Sequence, residues 1–156
     1  MKALLMRMSF NVSKRVRRDK APKEQKSTRI DSNNNPRLRT FHTPSWHFET
    51  LDLDGPWCPK NTLPPNVFWL DVLPKLRDFE GMNWAQIEST GSHEVSIRKI
   101  IPDAQRRLRG IGQADTHSIF SLRLTGTQRI WGIRFGSILK MLWWDPEHQI
   151  CPSQRK

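Results

Sequence analysis

The sequence contains no tyrosine, so no phenolic hydroxyl is available to any site it carries. Its two cysteines, Cys58 and Cys151, are too few for a disulfide framework, and no paired CxxC offers a zinc site. His148 and Cys151 lie three apart, but His47 and Cys58 would have to complete the set from far away, so a metal site is the weakest reading. No apolar run approaches the roughly 20 residues of a membrane-spanning helix. The first apolar patch, Ala3 to Met6, is cut short by Arg7, well below the apolar length of a signal peptide. These absences predict reduced thiols, a cytoplasmic location, no membrane partner and no small-molecule cofactor.

Large apolar residues are also scarce in residues 1–40, where 12 Lys/Arg stand against three acids (Asp19, Glu24, Asp31), a net of +9. The polar run Asp31-Ser32-Asn33-Asn34-Asn35-Pro36 adds nothing to bury. Such a segment cannot offset its ordering entropy, and a disordered basic tail is expected over 1–40. Residues 41–156 hold 14 Lys/Arg against 12 acids, so the pI of about 10.5 describes the tail more than the remainder. A flexible basic arm adds salt-dependent, sequence-blind affinity for a phosphate backbone. All seven tryptophans fall in 41–156, enough for one compact domain.

Periodicity gives that domain its elements. "SWHFETLDLD" alternates like a strand and stops at Asp54-Gly55-Pro56. Trp69, Val72, Leu73, Leu76 and Phe79 form a helical stripe, with Pro74 demanding a kink or a start at Asp71. Asn83 and Gln86 read as a capping box opening a short helix. "SIRKIIPDAQRRLRGIG" predicts a helix with Ile97, Ile101, Ala104, Leu108 and Ile111 inward. His93 and His117 fall in expected loops. From Ile119 the period becomes two, in three strands separated by "TGTQ" and "FGS". The expected architecture is α+β, an antiparallel sheet of about four strands with two or three helices packed on one face.

A two-residue first loop and a three-residue second loop would put Arg123, Gly132, Arg134, Lys140 and Trp144 on one open sheet face. Trp69, Trp84, Trp131 and Trp143 fit apolar stripes and are expected in the core, which leaves Trp144 as the functional tryptophan. Arg106, Arg107 and Arg109 form a basic helix face suited to a nucleic acid or an acidic partner, or simply to solvent. Beyond the last strand, "DPEHQI" places Glu147 and His148 after a turn.

The stretch "LRLTGTQRIWGIRFGSILKMLWWDPEHQICP" resembles the three-stranded end of RelE/ParE-type toxins of bacterial toxin–antitoxin pairs. The matching positions are Gly126, Arg129, the Ile138–Trp144 strand and His148, and the order of elements extends the likeness over about residues 45–152. The chain also resembles small uncharacterised bacterial proteins with "GPW" near the start and "WWDPEH" near the end. It departs from the toxins in lacking the tyrosine with which many of them end the last strand. The resemblance implies a metal-independent endoribonuclease that cleaves mRNA, often on the ribosome, and is held by a cognate antitoxin. In that reading His148 and Glu147 handle protons, Arg129 and Arg134 join Arg123 and Lys140 in stabilising charge, and Trp144 stacks on a base. Gyrase-poisoning members of the same fold lack nuclease residues, so a non-catalytic binding protein is a second expectation. A nucleic-acid-binding module whose affinity resides in residues 1–40 is the third.

Overall fold

The computed structural model describes residues 42–152, and the tail expected over 1–40 lies outside the described residues. Its elements run β1 (Ser45–His47), α1 (Pro59–Thr62), α2 (Pro65–Val67), a π-helical turn (Phe68–Val72), α3 (Leu73–Glu80), α4 (Trp84–Ser89) and β2 (His93–Ser96). A 3-10 turn (Ile97–Lys99), α5 (Pro102–Gly110), β3 (Ser118–Arg123), β4 (Arg129–Phe135) and β5 (Ile138–Asp145) complete them. The α+β class is as expected. The sheet, however, has five strands in the order β1-β5-β4-β3-β2, and β1 runs parallel to β5 while every other pair is antiparallel.

Helices cover both faces of the sheet, not one. Phe79, Trp84 and Ile87 from α3 and α4 pack on Phe120, Leu122, Met141 and Trp144. Ala104 and Leu108 from α5 pack on Ile119, Trp131, Leu142 and Trp143 on the other side. The central strands have the composition this requires: β4 and β5 are apolar on both sides over most of their length.

The helices depart from the expected pattern at their prolines. Pro74 has no N–H to give the carbonyl of Leu70, and the chain widens into the π turn just before it, where Leu73 N–H reaches back to Phe68. That extra residue rotates Trp69 out of the stripe, leaving it 63% exposed instead of in the core. Pro102 sits in the first turn of α5, so the expected long helix from Ser96 becomes a 3-10 turn, an extended break and a shorter helix. The residues before it are free to form β2, which puts His93 on a strand and not in a loop.

Both hairpin registers differ from expectation by one residue. Leu124 N–H bonds to the Gln128 carbonyl, so Thr125-Gly126-Thr127 is a three-residue loop and Arg123 lies opposite Arg129. The second loop is the two-residue Gly136-Ser137, with Phe135 opposite Ile138 and Gly136 at φ 62. A bulge then inserts Leu142, since Trp131 faces Trp143 while Gly132 faces Met141. Gly132 is a backbone approach: a Cβ there would lie 2.5 Å from the Lys140 carbonyl oxygen. The bulge turns Met141 and Trp144 toward α3 and α4, and Leu142 and Trp143 toward α5, which buries both adjacent tryptophans.

Candidate functional site

The site forms where β2, β3 and β4 meet the loop after β5, on the α5 side of the sheet. Asp145 ends β5 fully buried and accepts hydrogen bonds from Trp131 Nε1 at 3.1 Å, from Gln149 N–H at 2.8 Å and from Ile150 N–H at 2.9 Å. Three donors satisfy the carboxylate in place of water and draw residues 146–150 into a closed turn. Ile150 is itself buried, and its carbonyl accepts from Ile101 N–H. Within this turn His148 adopts φ 56, alone among the described non-glycine residues in having positive φ. A β-carbon disfavours that left-handed conformation, so the surrounding bonds hold His148 against its local preference.

Beneath His148 lies an open cleft of about 590 Å³, within the range of small-molecule and cofactor sites. A cross-strand row, His93 opposite Ser121 and Ser121 opposite Trp131, crosses it. Arg98 and Lys99 of the 3-10 turn form one wall with Cys151, whose thiol donates to the Lys99 carbonyl at 3.5 Å. Ser121 Oγ is buried and has no hydrogen-bond partner among the described residues. His93 Nδ1 is 3.1 Å from the Gly91 carbonyl oxygen, which fixes Nδ1 as the donor and leaves Nε2 available.

The cleft is cationic. Burial lowers the pKa of His148 below 6.5, and the positive charges of Arg129, His93 and Arg123 lower it further, against the opposing pull of Asp145. Arg129 is 7% exposed, and its Nη1 donates to the carbonyls of Thr125, Gly126 and Gln128, each at 2.9 Å, closing the β3–β4 loop. Burial and the neighbouring Arg123 lower its pKa from the usual guanidinium range. His148 is therefore an uncharged base at neutral pH, set beside fixed positive charge.

Of the residues singled out from sequence, His148 lines the cleft, while Arg123 and Arg129 lie outside its lining and reach His148 through their charge. Glu147 is exposed and is not part of the cleft wall. The expected common face is divided. Arg134 lies on the opposite face, ion-paired to Glu88 at 2.5 Å and 4.3 Å over the ring of Trp84. Trp144 is on that side too, 2% exposed, and is not available to stack on a base. Lys140, shifted by the register, borders a separate depression with Arg107 and the segment Glu49–Asp54. Arg106 pairs with Asp103 on the outside of α5, and Arg109 is exposed.

Arg107 has a structural partner. It donates through Nε (2.7 Å) and Nη2 (2.5 Å) to Asp52, a buried carboxylate that also accepts Trp143 Nε1 at 3.0 Å and Gly55 N–H at 3.0 Å. The two cross-strand partners Trp131 and Trp143 thus each donate an indole N–H to a buried carboxylate, Asp145 and Asp52. The hydrogen bond from Arg107, followed by those from Trp143 and Asp54 N–H, holds Asp52 down to about 2 despite its burial.

His93 and Ser121 were not expected at a site. The alternation in "HEVSI" is the signal that would have put them on neighbouring strands. Asp145, which reads as a turn residue, is the pivot of the loop. No group of three or more His, Cys, Asp or Glu among the described residues is placed to hold a metal. No helix among them is long and apolar enough to cross a membrane. Compared with family models, curated proteins and solved structures, the chain matches none.

Proposed function

We propose that the protein is a toxin-like endoribonuclease that cleaves mRNA without a metal, at the cleft around His148. One observation carries this reading: a part-buried histidine, uncharged at neutral pH and locked in a left-handed turn, borders an open cleft whose wall carries Arg98 and Lys99. Cleavage of RNA needs a base to take the 2′-hydroxyl proton and cations to stabilise the charged phosphorane, and these residue types meet both needs. His148 takes the proton, and Arg98 and Lys99 of the cleft wall stabilise the charge. The likeness of the C-terminal strands to RelE/ParE-type toxins, with the strand–helices–strands order, supports the same reading and brings with it an antitoxin and the ribosome as partners.

The test is induced expression of the full chain, with growth and mRNA integrity followed together. Growth arrest with shortened mRNA, both relieved by His148→Ala in a folded protein, is the expected result. Normal growth and intact mRNA at good expression would end the reading.

A second reading is favoured by the other face of the sheet, where an apolar groove of about 210 Å³ lies between Phe48, Leu63, Phe68, Val72 and Met141. Trp69 and Leu70, in the π turn next along the chain, are 63% and 74% exposed. Exposed apolar surface of this kind marks partner binding, which fits a non-catalytic protein of the same class. Arrest by wild type that His148→Ala leaves unchanged would select it.

A further inference from the structure

We propose that His93 is the second proton-transfer group of the cleft, giving a proton to the leaving 5′-oxygen as His148 removes one from the 2′-hydroxyl. The inference rests on the reading of the cleft as an RNA-cleaving site and assigns the acid that the reading leaves open. Glu147, the other proton carrier expected from sequence, is turned to solvent outside the cleft.

The placement of His93 comes from the sheet. It sits on the edge strand β2 directly opposite Ser121, so both side chains project from the α5 side of the sheet, where His148 overhangs. The Gly91 carbonyl accepts a hydrogen bond from Nδ1–H, so any proton delivered to a substrate leaves from Nε2. Two histidines thus border one cleft from separate elements, β2 and the loop after β5.

The charged surroundings divide their roles. Arg98 and Lys99 come from the 3-10 turn, Arg123 from the end of β3, Arg129 from the start of β4 and Asp145 from the end of β5. His148 takes most of its desolvation and cationic pressure from Arg129 and its own burial, which suits it to begin the reaction unprotonated. The charge of His93 adds to that pressure. His93 is exposed at the cleft edge. The buried Ser121 hydroxyl, without a partner among the described residues, offers a donor to a phosphate oxygen at the cleft floor.

The step balances without a co-reactant. The 2′-O–H proton passes to His148, the 2′-oxygen bonds to phosphorus, the P–O5′ bond breaks, and the Nε2 proton of His93 passes to the departing oxygen. The products are a 2′,3′-cyclic phosphate and a 5′-hydroxyl, and a 2′-deoxy residue at the scissile position cannot react.

The experiment is single-turnover cleavage of a labelled single-stranded RNA, and of the same strand carrying one 2′-deoxy substitution. The proteins are the full-length wild type, His93→Gln and His148→Gln, each followed across pH. For His93→Gln we expect a loss of 10²–10⁴-fold in rate at unchanged RNA affinity, and loss of the alkaline limb of the pH profile. His148→Gln should lose the acidic limb instead, and wild-type products should end in cyclic phosphate. Wild-type rates from His93→Gln, a loss confined to affinity, or products with 5′-phosphate would overturn the assignment while leaving cleavage standing. Intact RNA with the wild type would remove the cleavage reading and this assignment with it.

Discussion

At the scale of single residues, the cleft contains groups whose local energetics are poor. His148 is held at φ 56, and Ser121 Oγ is buried without a partner among the described residues. Stability and function should separate at both. His148→Gly is expected to keep or raise stability, by up to about 1 kcal/mol, while abolishing cleavage. Chemical denaturation beside a cleavage assay measures both, and a clear loss of stability would show that the imidazole is needed for packing. Ser121→Ala removes a hydroxyl without a partner among the described residues, so its melting temperature should match or exceed wild type as cleavage slows. Arg134→Ala should do the reverse, losing the Glu88 ion pair and the Trp84 ring contact with no direct effect on cleavage. A melting curve and a single-turnover rate distinguish these cases.

At the scale of elements, the loop after β5 depends on one side chain. Asp145→Ala leaves Trp131 Nε1 and two backbone N–H groups without their acceptor, an expected cost of about 2–3 kcal/mol. Amide exchange at Gln149 and Ile150 should quicken more than in β4, and uniform protection would refute the pinning role. These dependencies were not visible in the one-dimensional pattern. Alternation located β3, β4 and β5, and Asn83 with Gln86 formed the capping box of α4 as expected. Register is not legible from alternation because loop length decides it: Gly126 and Gly136 each permit several turns. The bulge at Leu142 then reverses the alternation halfway along β5, which no period-two reading detects.

At the scale of the whole molecule, charge and pH are the levers. Asp52 falls from 3.8 to about 2 in the folded protein, so its ionised form favours folding. That contribution is complete above pH 3.8 and fades as pH falls toward 2, by about 2 kcal/mol at most. Denaturation midpoints followed from neutral pH to pH 2 should show this loss, and Arg107→Met should flatten it. The basic residues 1–40 act differently. Their removal should reduce the slope of log affinity against log salt for RNA, with the catalytic rate on bound RNA retained. An unchanged slope would dismiss the tail as a binding arm, and loss of all binding would favour the module whose affinity lies in the tail.

The sequence by itself determined the class of the protein, the identity and approximate span of its main strands, the capping of α4, and the candidacy of His148. These follow from local pattern, composition and turn chemistry. Only the tertiary structure decided which cations accompany that histidine. It separated Arg134 and Trp144 from Arg123 through one-residue shifts and a bulge, and it brought His93, from a strand concealed before Pro102, opposite Ser121 at the cleft. Side chains change faces with each residue of register, so a site built across four strands is settled by how those strands pair.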